Sequence, residues 1–251
     1  MDDASAPNTE TAREPELIVT QEGGVCTITL NRPKRKNALT SGMVTGIIAA
    51  IRAANDTDEC RVVLIKANGD DFCAGMDLVQ SNDTSGVVSK QRIGHLQRRM
   101  QTGAHDMIME LDSVQLPVVA AVRGWAAGVG NMLALSADVV IATPSTKFWV
   151  PFVTKGFSPD SGNTWLLPRL VGLARAKEMV LRGEPIDGTK AADWGLISRC
   201  VAEDEMDAAV AEVVNGFVQA ATISVGLAKT LLHNNLSVDL RSARSEEHTS
   251  E

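Results

Sequence analysis

The chain has 251 residues, 44% of them hydrophobic and 22% charged, with a formal net charge of −7 at pH 7. This balance suits a folded chain with a substantial core and excludes a wholly disordered chain, a collagen and a coiled coil. The acidic surplus leaves no broad basic surface for nucleic acid or an anionic membrane, and no apolar run approaches the roughly 20 residues of a membrane-spanning helix.

Residues 1–15 are polar and acidic, with Asp2, Asp3, Glu10 and Glu14. They have neither the basic nor the apolar part of a signal peptide, so they read as a disordered leader of a cytoplasmic protein. Leu17–Thr20 and Val25–Leu30 read as a hairpin joined at Glu22-Gly23-Gly24. Met43–Ala54 carries Met43, Ile47, Ile48 and Ile51 at helical spacing. Val62–Lys66 reads as a buried strand, Val87–Leu111 as a long helix and Val118–Val122 as the next buried strand. Met132–Ala137 reads as a helix and Val139–Ala142 as a strand. From Thr164 the pattern turns helical, with segments over Ala174–Leu181, Ala191–Trp194, Glu205–Ala220 and Val225–Leu232. The alternation points to one α/β domain over residues 16–243 with a helical C-terminal part. Arg244–Glu251 reads as a non-native tail.

Cys26, Cys60, Cys73 and Cys200 form no CxxC pair and have no histidines at zinc spacing, so no metal site is expected. They read as small buried hydrophobes in a reducing compartment. The alternative, a nucleophilic Cys73, lacks a base at a telling spacing.

Two loops carry the chemical signal. Asp71–Leu78 follows the strand at Val62–Lys66, and its small residues permit close backbone approach to a ligand. Gly124–Asn131 follows the strand at Val118–Val122 and opens a helix, where free N–H groups and the positive dipole end gather. Side by side, two such loops can supply two main-chain donors to one oxygen.

Four stretches, Asn31–Leu39, Phe72–Leu78, Pro117–Gly124 and Pro159–Leu170, resemble the crotonase superfamily, the enoyl-CoA hydratase/isomerase group. The resemblance runs from about Leu17 to Leu236. It implies a spiral of ββα units to about residue 195, a helical C-terminal region, and assembly as homotrimers or hexamers. It also implies an acyl-CoA thioester as ligand, in a role close to fatty acid metabolism. Coenzyme A is then part of the substrate, with no separate cofactor.

Carried over residue by residue, the resemblance puts two oxyanion-hole amides on Met76 and Val129. Gly128 belongs to the same loop, and Val129 stands where relatives usually have glycine. Ala74, Gly75, Asp77 and Leu78 fall in the stretch that holds the adenine end of CoA. Lys34 and Lys36 lie in a loop suited to its phosphates. The two glutamates of the family's hydratases fall on Met132 and Phe152, neither of which transfers a proton, so ordinary hydration is disfavoured. One carboxylate remains, Asp160. Its surroundings are most similar to the enoyl-CoA and ring-epoxide isomerases of phenylacetyl-CoA catabolism, in which an aspartate here moves a proton along the acyl chain.

Two other readings stay open. One is hydrolytic or dehalogenase-type chemistry through Asp160, since dehalogenating relatives have a histidine at the position of His105. The other is a non-catalytic acyl-CoA binder. Apart from that, His105 reads as an ordinary surface histidine, Asp138 as a structural cap or pair, and Arg169 as the partner of a structural carboxylate. Asp160 itself has a bland alternative as a turn residue or helix cap.

Overall fold

The computed structural model describes residues 14–77 and 93–247. Most of the expected leader, Leu78, the residues at 87–92 and the end of the expected tail lie outside the described residues.

The chain opens with β1 (Leu17–Glu22) and β2 (Val25–Leu30), an antiparallel hairpin in which Glu22 pairs with Val25. Gly23 and Gly24 make the two-residue turn at φ 58° and 83°. Both central positions of a type I′ turn need positive φ, which glycine adopts without strain. Next comes α1 (Ser41–Asn55), started by Thr40, whose Oγ1 accepts from the Met43 amide at 3.2 Å. Its apolar face, Met43, Ile47, Ala50, Ile51 and Ala54, is buried.

Then follow β3 (Val62–Ala67), α2 (Ile93–Ser113), β4 (Val118–Val122), β5 (Trp125–Ala127), α3 (Val129–Leu135), β6 (Val139–Ala142) and β7 (Lys147–Trp149). After them come α4 (Asn163–Arg182), β8 (Ile186–Asp187), α5 (Gly188–Asp193), β9 (Arg199–Cys200), α6 (Met206–Gln219), α7 (Thr222–Asn234) and α8 (Leu240–Glu247). Among the described residues no single helix is long and apolar enough to cross a membrane.

The main sheet has the order β1-β2-β3-β4-β6-β9 and is parallel from β2 onward. A smaller sheet runs β5-β7-β8. Single bridges, Leu39 to Met76 and Cys73 to Ala126, extend the smaller layer past the ends of β2 and β3. Each turn of chain thus makes a main-sheet strand, a short second-layer segment and a helix. This is the expected α/β spiral with a helical C-terminal region.

All five residues of β4 are buried. Val118, Ala120 and Val122 pack into the large core, whereas Val119 and Ala121 pack under α6 with Met206 and Val210. A strand covered on both faces reads as a continuous apolar run. On α7, the buried Lys229 reaches the Asp138 carboxylate at 2.8 Å and the Leu116 carbonyl at 3.2 Å. The same Asp138 oxygen accepts from the Val118 amide at 2.7 Å, so Asp138 is the structural partner its position suggested.

Several expectations need adjustment. The segments β5, β7, β8 and β9, two or three residues long, are too short for an alternating pattern to mark them. The helix expected from Met132 begins at Val129, and its seven residues are all buried, so it lacks a polar face. Within α4, Gly172 leaves helical geometry at φ 75°, ψ 160°, and Pro168 lies inside the helix. Arg169 stacks over the Trp165 ring at 4.1 Å and donates to the Trp165 carbonyl rather than pairing with a carboxylate.

Candidate functional site

The two small-residue loops meet at the second layer. Cys73 donates to the Trp125 carbonyl at 2.8 Å and accepts from the Ala127 amide at 2.9 Å. Leu39 donates to the Gly75 carbonyl at 2.8 Å and accepts from the Asp77 amide at 2.9 Å. In a parallel bridge of this kind the flanking residues, Gly75 and Asp77, supply the bonds. The N–H of Met76, between them, is therefore not used by the bridge. Val129 is the first residue of α3, where an amide has no acceptor four residues back. Among the described residues no main-chain carbonyl accepts from either amide.

Glycine makes the apposition possible. A Cβ on Gly75 would lie 3.1 Å from the Ala127 oxygen and 3.9 Å from the Val129 nitrogen, and its φ is +98°. A Cβ on Gly130 would lie 2.5 Å from the Cys73 carbonyl oxygen and 2.6 Å from its Sγ. The start of α3 therefore rests directly on the Cys73 main chain. Gly128, at φ 55°, turns the chain into the helix without a side-chain cap.

A polar hub ties the entry loops together. Asn37, fully buried, donates to the Asn68 carbonyl at 2.9 Å and the Asp71 carbonyl at 2.7 Å, and accepts from the Arg32 amide at 2.7 Å. Asp77 is buried and its carboxylate meets Arg32 at 3.0 Å. Its side chain is thus engaged within the protein. Lys34 is exposed, as is Lys36, which pairs with Asp71 at 3.3 Å. Ala74 is exposed between them and Gly75. Leu78 lies outside the described residues.

Burial pushes the Cys73 thiol up to about 12. It stays neutral across the physiological range, against a role as nucleophile. Iodoacetamide on the native protein at about pH 8 is expected to label Cys200, the least buried of the four cysteines, before Cys73. Peptide mass spectrometry that finds Cys73 alkylated without unfolding would contradict this burial.

Asp160 sits half-buried in the loop before α4. Its carbonyl accepts from the Asn163 amide at 3.1 Å and from Asn163 Nδ2 at 2.7 Å. The N-cap of α4 is Gly162, with no side-chain cap bond, so the Asp160 carboxylate does not serve as the cap. Instead its Oδ1 accepts from the Ser161 hydroxyl at 2.9 Å. The Ser161 amide in turn donates to His105 Nε2 at 3.0 Å. His105 is half-buried on α2 and holds this loop, so it is not an ordinary surface histidine. No sequence signal marked Ser161, because its partner is 56 positions away.

The loop lies against α3. A Cβ on Gly162 would lie 3.7 Å from Met132 Cε and 3.9 Å from Ile108 Cγ2. Met132 is 1% exposed and Phe152 8%. The Asp160 loop thus packs against Met132 of α3, the helix whose first amide is claimed by no main-chain carbonyl among the described residues.

This arrangement has counterparts. A family model described as enoyl-CoA hydratase/isomerase matches residues 20–250. The chain is 34% identical over 214 residues to the 1,2-epoxyphenylacetyl-CoA isomerase of Escherichia coli (strain K12), covering 85% of this chain and 80% of that protein. It is 30% identical over 228 residues to the short-chain-enoyl-CoA hydratase of Clostridium acetobutylicum, covering 90% and 84%. The crystal structure of enoyl-CoA hydratase from Bacillus anthracis superposes with a TM-score of 0.86 at 27% identity, over 94% of this chain and 89% of that one. With the fold, the order of the motifs and the family match in agreement, the chain belongs to the enoyl-CoA hydratase/isomerase family, the crotonases.

Proposed function

We propose that the protein is an isomerase of unsaturated acyl-CoA thioesters, shifting a double bond through a thioester enolate. In this reading the Met76 and Val129 amides form the oxyanion hole and Asp160 shuttles the proton. The observation that carries it is the burial of apolar Met132 and Phe152 at the positions where the family's hydratases have glutamates. Hydration needs one group to activate water and another to protonate carbon. Isomerisation needs only one. The Asp160 carboxylate takes a proton from C2 of a 3-enoyl thioester, the electrons move onto the thioester oxygen, and the same group returns the proton at C4. No co-reactant is consumed. Each oxyanion donor contributes about 3 kcal/mol of transition-state stabilisation.

The remaining assignments follow the same reading. Lys34 and Lys36 meet CoA phosphates, and the main chain of Ala74, Gly75 and Asp77 lines the adenine end. Val129, Met132 and Phe152 narrow the acyl pocket. Ile223, Leu232 and Leu240 on the C-terminal helices are strongly exposed, in keeping with assembly as a homotrimer or hexamer. Similarity to the Escherichia coli isomerase supports isomerase over hydratase.

A second reading, hydrolysis through a covalent ester on Asp160, draws on the closeness of His105 to the Asp160 loop. Its Nε2 is already occupied by the Ser161 amide, which favours isomerisation. The test is a panel of 3-enoyl and 2-enoyl thioesters incubated in deuterated water and read by mass spectrometry. Deuterium entering at the α or γ carbon is expected. Release of free CoA, or binding without exchange across the panel, would defeat the proposal.

A further inference from the structure

Ser161 is the unusual residue of the catalytic loop. It is 2% exposed and has φ +52°, in the left-handed region that costs a side chain energy. Such a conformation persists only where the surroundings impose it. Here both of its polar groups are held. The amide donates to His105 Nε2 at 3.0 Å, and the hydroxyl donates to Asp160 Oδ1 at 2.9 Å. On the other side, the Asp160 carbonyl is fixed by both nitrogens of Asn163. The backbone of Asp160 is thus pinned to the start of α4, and one carboxylate oxygen is pinned to a serine that is itself pinned to α2. A capping or merely space-filling serine needs neither the strained φ nor the imidazole.

We propose that Ser161 and His105 are positioning residues that hold the Asp160 carboxylate in the rotamer required for proton transfer, a relay of orientation from α2 through Ser161 to the reacting oxygen. This rests on the reading of Asp160 as the proton shuttle. The Ser161 bond holds Oδ1 and leaves Oδ2 to receive the proton. The Ser161 amide occupies His105 Nε2, so that nitrogen holds the loop rather than serving as a base. Neither residue needs to touch the substrate. Their effect falls on kcat, because a misplaced carboxylate slows the step without weakening CoA binding.

The test uses four variants of the full chain, with kcat, KM and the thermal midpoint measured for each on the same 3-enoyl thioester. Ser161→Gly removes the hydroxymethyl side chain without straining the backbone, since glycine adopts φ +52° freely. It is expected to fold as well as the parent and to lose about tenfold in kcat with KM unchanged. His105→Leu is expected to lose about tenfold to a hundredfold in kcat. His105→Gln, whose side-chain oxygen can accept the Ser161 amide, is expected to recover most of that loss. Equal damage from Gln and Leu would overturn the role of His105. If His105→Leu fails to fold, Ser161→Gly and His105→Gln still decide the matter. Asp160→Asn separates the two ideas. If it is inactive while Ser161→Gly and His105→Leu match the parent, the relay is wrong and the shuttle stands. If it matches the parent, the shuttle itself fails.

Discussion

An Asp160→Asn variant is expected to lose about 10²- to 10⁴-fold in kcat for isomerisation of a 3-enoyl-CoA, the usual worth of a positioned acid–base group. The change is nearly isosteric. An asparagine oxygen still accepts from the Ser161 hydroxyl, and the residue's own carbonyl still accepts from both nitrogens of Asn163. Loop and fold are therefore preserved, and the thermal midpoint should move little. What is lost is basicity, since an amide does not take a proton from C2 of the acyl chain at neutral pH. On the proposed reading the substrate is still held through its CoA portion, so KM should change much less than kcat. Hydration of a 2-enoyl-CoA is expected to be slow in the parent and in the variant alike, because Met132 and Phe152 supply no second acid–base group. Parallel assays of the two substrates by chromatography of the thioesters check both statements. Parent-like isomerisation by the asparagine variant would remove Asp160 from the chemistry.

The second large effect concerns a residue without a side chain. Gly130→Ala puts a Cβ 2.5 Å from the Cys73 carbonyl oxygen and 2.6 Å from Cys73 Sγ, distances that real Cβ atoms do not tolerate. Neither neighbour can yield easily. The Cys73 main chain is bonded on both sides to Trp125 and Ala127, and every residue of α3 is buried. The helix must therefore shift, carrying the Val129 amide away from that of Met76. Overpacking of this kind destabilises by about 1–3 kcal/mol, readable as a lower urea midpoint. On the proposed reading, in which the Val129 amide is an oxyanion donor, its misalignment lowers kcat by a further factor of about 10² to 10³. A Gly130→Ala enzyme with parental kcat would mean that the two amides do not act on one oxygen.

Continuous apolar runs were the most legible features. Val118–Val122 and Val139–Ala142 are strands with the very bounds that the sequence suggests, as is Val25–Leu30, whose apolar residues are interrupted by Thr27 and Thr29. A strand covered on both faces is marked by its own composition. The helix at Ser41–Asn55 was legible for a similar local reason, a repeat of buried residues three and four apart. The second layer was not legible. Lys147–Trp149 and Ile186–Asp187 are strands only through partners distant in sequence, the first pairing with both Trp125–Ala127 and Ile186–Asp187, and two or three residues carry no period. Asn37 belongs with them, because its role as a hub depends on carbonyls at Asn68 and Asp71 that only the fold brings near.

The candidate site divides in the same way. The small-residue loops, the order of the motifs and the apolar residues at 132 and 152 follow from the chain alone, because each is a matter of residue type at a local position. The sequence by itself thus determined the family, the architecture and the lack of a glutamate pair. Only the tertiary structure decided that the loops carrying Met76 and Val129 lie together, that among the described residues no main-chain carbonyl accepts from either amide, and that Asp160 is held through Ser161 by His105. Hydrogen bonds are set by directions and distances of a few tenths of an ångström between segments far apart in sequence. No local pattern encodes those quantities, and the packed core alone supplies them.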